Sequence, residues 1–458
     1  MPPDDRNRRN SNRPVRLLHY ADLENVYDHP ERVGRLAGRI DALRDDSTLV
    51  VGAGDDTALG TLALFTDAGR AQARPFFEAL SPDAETFGNH EFDRGAERAL
   101  ELARTTPQAW LCANVADWAD GGRSTFPNGV SPSATFDAGD RRVGIVGVAH
   151  PKTAEMSGAD LQFTDPAAAV NREAARLRER GADRVVALAH LGDDPAFAAA
   201  VDADAVLCGH ETERRIRRID GTLLVQTADG ELAEVTLGDD TDVTVHDVTD
   251  APLDEDVTAT YRRRRAAAGV DAVVARVDDP IERAPDVRYG GECRLGNFVT
   301  DAYRAGADAD VGFVHSASLR EGPLLADDVT VGDVVGVAPF PTALVELELS
   351  GSDLRAAVEW TGEPFGRDDG VGLHVSGACV RRDEDGDLRA VRVGGDPLDA
   401  GATYSVALMN YLPSVEQFPT LTADDVVAEY GPQYEHLVAH ARAGGLAAVE
   451  CEGRIRRE

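Results

Sequence analysis

Five short polar signatures, each standing at the end of a strand-like apolar run, constrain this chain more than anything else in it. In order they are Asp22-Leu23-Glu24-Asn25 after Arg16-Leu17-Leu18, Gly54-Asp55 after Leu49-Val50-Val51, Gly88-Asn89-His90-Glu91-Phe92-Asp93, His190 after Val185 to Ala189, and Gly209-His210 after Ala205-Val206-Leu207. A lone Asp after a buried strand is more often a helix cap than a ligand. Five such ends in series describe ligands supplied from successive strands, a site that no single helix or loop builds. Carboxylates mixed with imidazoles suit Mn, Fe, Zn or Mg, so the pattern predicts a metallohydrolase.

The 458 residues exceed one ordinary core and predict two domains. The net charge is -34, arginine serves almost everywhere a base is needed, and Lys152 is the only lysine. That balance reads as adaptation to a high-salt cytoplasm of the haloarchaeal type, where near-molar salt shrinks the Debye length to about 3 Å and mutes self-repulsion. Such a surface repels nucleic acid and acidic membranes, so neither is expected as a partner. Cys112, Cys208, Cys293, Cys379 and Cys451 are odd in number and show no C-x-x-C spacing, which predicts reduced core residues, Cys208 among them as an apolar filler beside His210. No window reaches the roughly 18 apolar residues that cross a bilayer. The polar segment 1–14 reads as a disordered arm on a cytoplasmic protein.

Residues 15–248 alternate strand-like and helix-like segments, as an α/β domain does. Val33, Leu36, Ile40 and Leu43 recur at helical spacing, Pro166 to Arg180 makes a second helix, and Thr222 to Val248 is strand-rich before Thr249-Asp250-Ala251-Pro252 breaks regular structure. Residues 249–270 read as a linker helix, its Arg262 to Arg265 run paired with neighbouring acids rather than with nucleic acid. A second α/β domain is expected over 271–458.

The five blocks resemble those of the calcineurin-like metallophosphoesterases, D-x-H, G-D, G-N-H-[ED], H and G-H-x-[HQ], and Phe92-Asp93 looks like the bifunctional 5'-nucleotidase and UDP-sugar hydrolase family within them. Arg294 to Ala302 resembles that family's C-terminal block, and Ala338-Pro339-Phe340 its "PF" turn, so the resemblance covers roughly residues 15–420. It implies an N-terminal four-layer αββα catalytic domain and a C-terminal α/β substrate-binding domain.

The resemblance also implies two divalent ions sharing Asp55, with Asn89, His190 and His210 completing one shell and Asp22 and the residue at 24 holding the other ion. Two such ions hold a hydroxide between them for in-line attack on phosphorus. The spacing Asp22-x-Glu24 puts both side chains on one face of an extended segment. The chain departs from the family at Glu24, where the family has His, and at Thr212, where it has His or Gln. Glu adds charge and favours harder ions, while Thr is a poor ligand. One or two ions are therefore expected, Mn or Mg favoured, with Zn and Co as alternatives. His90 and Asp93 match the family's catalytic dyad: an imidazolium that hydrogen-bonds a phosphoryl oxygen or protonates the leaving group, and a carboxylate that orients it. Asn114 reads as structural. His19 and His150 read as core or rim residues, and His29, His246, His436 and His440 as surface residues.

For the substrate, the resemblance implies a phosphate-gripping arginine, here Arg320 after His315-Ser316-Ala317-Ser318-Leu319, where glycines of the family's turn are missing. It implies two rings clamping the base as well. Val375-Ser376-Gly377 stands where one ring would be, and Tyr411 or Phe418 is the candidate for the other. Three readings follow: a metal-dependent 5'-nucleotidase whose small-molecule partner is a nucleotide, a hydrolase of a sugar nucleotide, cyclic nucleotide or non-nucleotide phosphoester, and a degenerate nucleotide-binding protein.

Overall fold

The computed structural model describes residues 14–457 except 58, 67–71, 117–127, 193–194, 212, 229, 239–240, 290, 362–371 and 416–417. The expected N-terminal arm and Thr212 lie outside the described residues. The chain divides into two compact units, Met1–Ala268 and Gly269–Glu458.

The first unit is built on two six-stranded sheets. In one, Val15–Tyr20, Thr48–Gly52, Ala84–Glu85 and Ala109–Trp110 run parallel, and Leu232–Leu237 and Asp242–His246 extend it antiparallel. In the other, Arg141–Ala149, Arg184–His190, Ala205–Gly209 and Thr222–Gln226 run parallel between antiparallel edge strands Ser133–Ala138 and Arg215–Ile219. Alternation along the strands decides the layering. Leu17, Leu49 and Val51 share one buried cluster with Val186, Leu188, Leu207 and Val225, so this cluster lies between the sheets. The alternate residues Leu18, Tyr20 and Val50 face the helix Pro30–Leu43 through Val33, Leu36, Ala37 and Ile40. Val185, Ala187, Val206 and Cys208 face the helix Pro166–Glu179 through Ala169, Val170, Ala174 and Leu177. Both faces of both sheets are thus covered, which is why the parallel strands are near-continuous apolar runs.

The two helices start as their sequences direct. Pro30 and Pro166 occupy first-turn positions where no N–H is needed, and the Asp165 carboxylate accepts the Ala168 N–H at 2.8 Å. Within the segment 249–270, expected as a linker helix, Glu255–Ala268 is helical and packs within the first unit. Tyr261 is fully buried, stacks on Tyr27 at 5.5 Å and donates its hydroxyl to Gln72 O at 2.6 Å. A Cβ on Gly34 would sit 1.9 Å from Thr258 Oγ1, so that glycine sets the close approach of the two helices. Arg262 pairs with Glu31, in keeping with a solvated charge run.

The second unit has a five-stranded mixed sheet in the order Leu373–Ser376, Val311–His315, Thr403–Met409, Ala343–Ser350 and Val426–Pro432. The helix Arg294–Ala307 buries Leu295, Phe298, Val299, Ala302 and Tyr303 and packs on that sheet. A four-stranded sheet carries the end of the chain as its edge strand Ile455–Arg457. Of the cysteines, Cys112, Cys208 and Cys293 are buried as expected, whereas Cys379 is half-buried and Cys451 is exposed. His246, His436 and His440, expected at the surface, are half-buried, and His246 pairs with Glu234 at 2.9 Å.

Candidate metal centre

The five signatures leave the carboxyl ends of parallel strands drawn from both sheets, and the register of those strands brings the ends level. Tyr20 pairs with Gly52, Gly52 with Glu85, and His190 with Gly209. Asp22, Glu24, Asp55 and His210 then adopt positive φ, at 53, 35, 53 and 94°. Non-glycine residues hold such angles only where the surroundings over-determine them, and they gather at functional sites.

Asp55, His190 and His210 each offer one ligand atom, and these atoms lie within 4.8 Å of one another. His190 Nδ1 donates to Ala53 O at 2.9 Å, which turns Nε2 towards Asp55 Oδ2 at 3.0 Å and His210 Nδ1 at 3.2 Å. Burial disfavours the charged imidazole of His190, but the Asp55 carboxylate outweighs it and raises the pKa to about 10. The same pair keeps the Asp55 carboxyl well below the usual carboxylate range despite its burial. Burial, then the charge of His190, push His210 down to about 4. Asn89 is buried and its Oδ1 has no hydrogen-bond partner. A buried carbonyl oxygen without a donor is costly unless something else occupies its lone pairs. One carboxylate, two imidazoles and this amide oxygen form a donor set that fits a divalent ion.

Asp22 and Glu24 do not join that group. Both Asp22 oxygens accept the His210 N–H, at 3.1 and 3.0 Å, so this carboxylate ties a loop of one sheet to a loop of the other. Glu24 opens the 3₁₀ helix Glu24–Asp28, and its N–H donates to Asp55 O at 3.2 Å.

His90 follows Asn89 on a 3₁₀ turn, with its N–H on Asp55 Oδ1 at 2.8 Å and its Nδ1 on Asp93 Oδ2 at 2.9 Å. Burial works against its charged form, but Asp93 and then Asp55 prevail and hold its pKa at about 9. Gly88 makes the approach possible, since a Cβ there would lie 2.1 Å from Asp55 Oδ1.

The residue that sequence reasoning missed is Glu91. It is 1 % exposed and accepts the N–H groups of Asp55, Thr57 and Gly88 at 2.9, 3.0 and 2.6 Å and the Thr57 hydroxyl at 2.8 Å. A carboxylate directly after a ligand, Asn89, and a catalytic His, His90, was the available signal. His150 also comes closer than a bland rim role, its ring 5.8 Å from that of His210, at the end of its own strand like the other histidines. His19 is buried with Nε2 on Cys208 O at 3.1 Å, and Asn114 bridges Ala149 and Thr164, both structural as expected.

In the second unit, Arg320 follows a 3₁₀ turn, Ser316–Ser318, flanked by His315 at φ -73° and Leu319 at -88°, so the turn forms without the glycines. The Arg320 guanidinium lies 5.9 Å from the centre of the Phe340 ring. Tyr411 is 45 % exposed and available to stack. Phe418, the other candidate ring, is 1 % exposed and packs edge-on against His315 and Trp360 at 5.8 and 5.7 Å, so it belongs to the core. Val375 is buried, and Ser376 donates to Asp301 at 2.5 Å, which makes that segment structural too.

Residues 273–423 match the family described as "5'-nucleotidase, C-terminal domain". The fold of the chain is similar to that of a 5'-nucleotidase precursor from Thermus thermophilus, at a TM-score of 0.77 over 97 % of this chain and 99 % of that one, with 23 % identity. A 5'-nucleotidase of Diplobatis ommata is 26 % identical over 74 % of this chain and 67 % of its own length. "Endonuclease YhcR" of Bacillus subtilis is 23 % identical over 81 % of this chain, which spans 34 % of that protein. These similarities agree with the metal-dependent nucleotide phosphoester hydrolase that the motifs imply. Among the described residues no helix is long and apolar enough to cross a membrane.

Proposed function

We propose that this chain is a metal-dependent 5'-nucleotidase that releases phosphate from nucleoside monophosphates. The observation that carries the reading is the junction of the Asp55, His190 and His210 cluster, the orphaned Asn89 Oδ1 and the His90–Asp93 pair on one rim. Asp55, Asn89, His190 and His210 would hold a divalent ion, which supplies Lewis-acid chemistry at the phosphoryl oxygens and at water. His90, held as imidazolium near neutrality, donates a hydrogen bond to a phosphoryl oxygen and is placed to give a proton to the leaving oxygen. Asp93 fixes the ring and stabilises its charge. Arg320 binds the phosphate as a bidentate fork, and Tyr411 stacks the base. Mn or Mg is proposed for the ion, on the carboxylate at position 24 beside this set. A saline cytoplasmic setting is proposed on the charge of -34.

Phosphate release from nucleoside monophosphates and UDP-glucose, with metal-stripped protein in high KCl and Mn, Mg, Zn or Co added back, tests this. Release that requires an added ion is expected, and silence with every ion from folded protein would overturn it. Burial of Phe418 favours a second reading, a phosphoester without a base, and a non-nucleotide outpacing every nucleoside monophosphate would establish it.

A further inference from the structure

We infer that Arg283 is the positioning residue that sets the substrate arginine, Arg320; this rests on the phosphate-binding role proposed for Arg320. Arg283 follows the strand Val273–Ile281 and is 6 % exposed. Its guanidinium spends its donors on main-chain carbonyls of two separate loops. Nε and one terminal nitrogen reach Arg320 O at 3.3 and 3.2 Å, and that nitrogen also reaches Glu321 O at 3.2 Å and Gly336 O at 2.5 Å. The Arg320 N–H in turn donates to Val337 O at 2.8 Å, so the loops 319–321 and 336–337 are cross-tied on both sides of Arg320. Gly322 completes the cradle, since a Cβ there would lie 2.6 Å from the Arg283 guanidinium carbon. Burial lowers the Arg283 pKa to about 10, still charged at any working pH.

A planar fork with five fixed donors can satisfy three carbonyls at once; an ammonium on a flexible stem cannot hold the same geometry. Arg283 therefore sits one peptide away from the substrate-binding side chain, pinning the carbonyl of the very residue that would grip phosphate. No signature in the sequence marks it.

A double-mutant cycle on the full-length, metal-loaded enzyme tests this, with R283M, R320A and R283M/R320A compared for kcat and KM on a nucleoside monophosphate and for calorimetric affinity for inorganic phosphate. R283M is expected to weaken both KM and phosphate affinity roughly 10- to 100-fold, as misplacement of a binding group by about 1 Å does, and to add little once Arg320 is already alanine. A merely structural role would give additive losses or none, and either result overturns the inference. Should R283M not fold, R283K keeps the charge and is expected to fall between wild type and R320A. A wild-type KM and phosphate affinity in R283K would overturn the inference equally. A protein whose phosphate affinity depends on Arg320 and, through it, on Arg283 but that hydrolyses nothing would sink the proposed catalysis and leave this inference standing.

Discussion

The Asp93 carboxylate lies 2.9 Å from His90 Nδ1, three residues on along the same turn, while the His90 N–H is held by Asp55. Asp93→Asn keeps the shape but removes the charge that keeps His90 protonated. Turnover is expected to fall roughly 10²- to 10⁴-fold, as for loss of a positioned acid, with bound metal unchanged. His90→Ala is expected to fall as far, and undiminished kcat in either variant would remove the pair from the mechanism.

Asn89 Oδ1 gives a prediction on the ion itself. Asn89→Leu removes the orphaned oxygen at similar volume, so calorimetric Mn affinity is expected to drop while the metal-free protein becomes no less stable. A metal-free melting temperature that falls with unchanged Mn affinity would make Asn89 a structural residue.

Glu91 gathers four donors beneath the centre. Glu91→Gln replaces an acceptor oxygen with an NH₂ group facing N–H groups, and metal affinity is expected to fall roughly 10- to 100-fold, the usual effect of disturbing groups that orient ligands. Wild-type affinity in the folded variant would show that the loops hold Asp55 without it.

Phe418 and Tyr411 separate packing from binding. Phe418→Ala is expected to destabilise the protein by about 3 to 5 kcal/mol, read by urea denaturation. Tyr411→Ala should change stability by less than about 0.5 kcal/mol while raising KM for nucleotides. A stable Phe418→Ala with raised KM would return Phe418 to the substrate site.

His374 predicts an acid sensitivity of the second unit. It is enclosed, Nε2 donates to Arg288 O at 3.0 Å, and burial lowers its pKa from 6.5 to about 4. A folded pKa below the unfolded one contributes stability above 6.5 that is lost as pH falls from 6.5 towards 4, about 3 kcal/mol over that window. Urea midpoints from pH 7 to 5 should fall less steeply in His374→Gln than in wild type. Equal slopes would count against the assignment.

Periodicity and strand-end residues made the first unit legible, because its central parallel strands are largely apolar and each ligand stands at or within a few residues of the end of one. The packing of the helix Glu255–Ala268 was not legible. Its buried face rests on Val257, Thr258 and Tyr261, too few apolar positions to make a stripe, and its fit depends on Gly34 of another helix. Phe418 misled for a related reason, since an aromatic near a family-like strand reads the same whether its partners are a base or Trp360. Arg283 acts through main-chain carbonyls, and hydrogen bonds to carbonyls leave no residue-type pattern to find.

The metal centre draws Asp55 and Asn89 from one sheet and His190 and His210 from the other, all at the same end of the strands, and Asp22 ties the same two rims through the His210 N–H. An ion held there would be a rivet through one rim of a two-plate sandwich. Opening of the plates must then start from the opposite rim, where no such ligand cluster is found among the described residues. Metal loading should slow amide hydrogen exchange in Tyr20–Asp22 and Gly209–His210 far more than at Val15 or Ala205, grading protection along each strand rather than raising it uniformly.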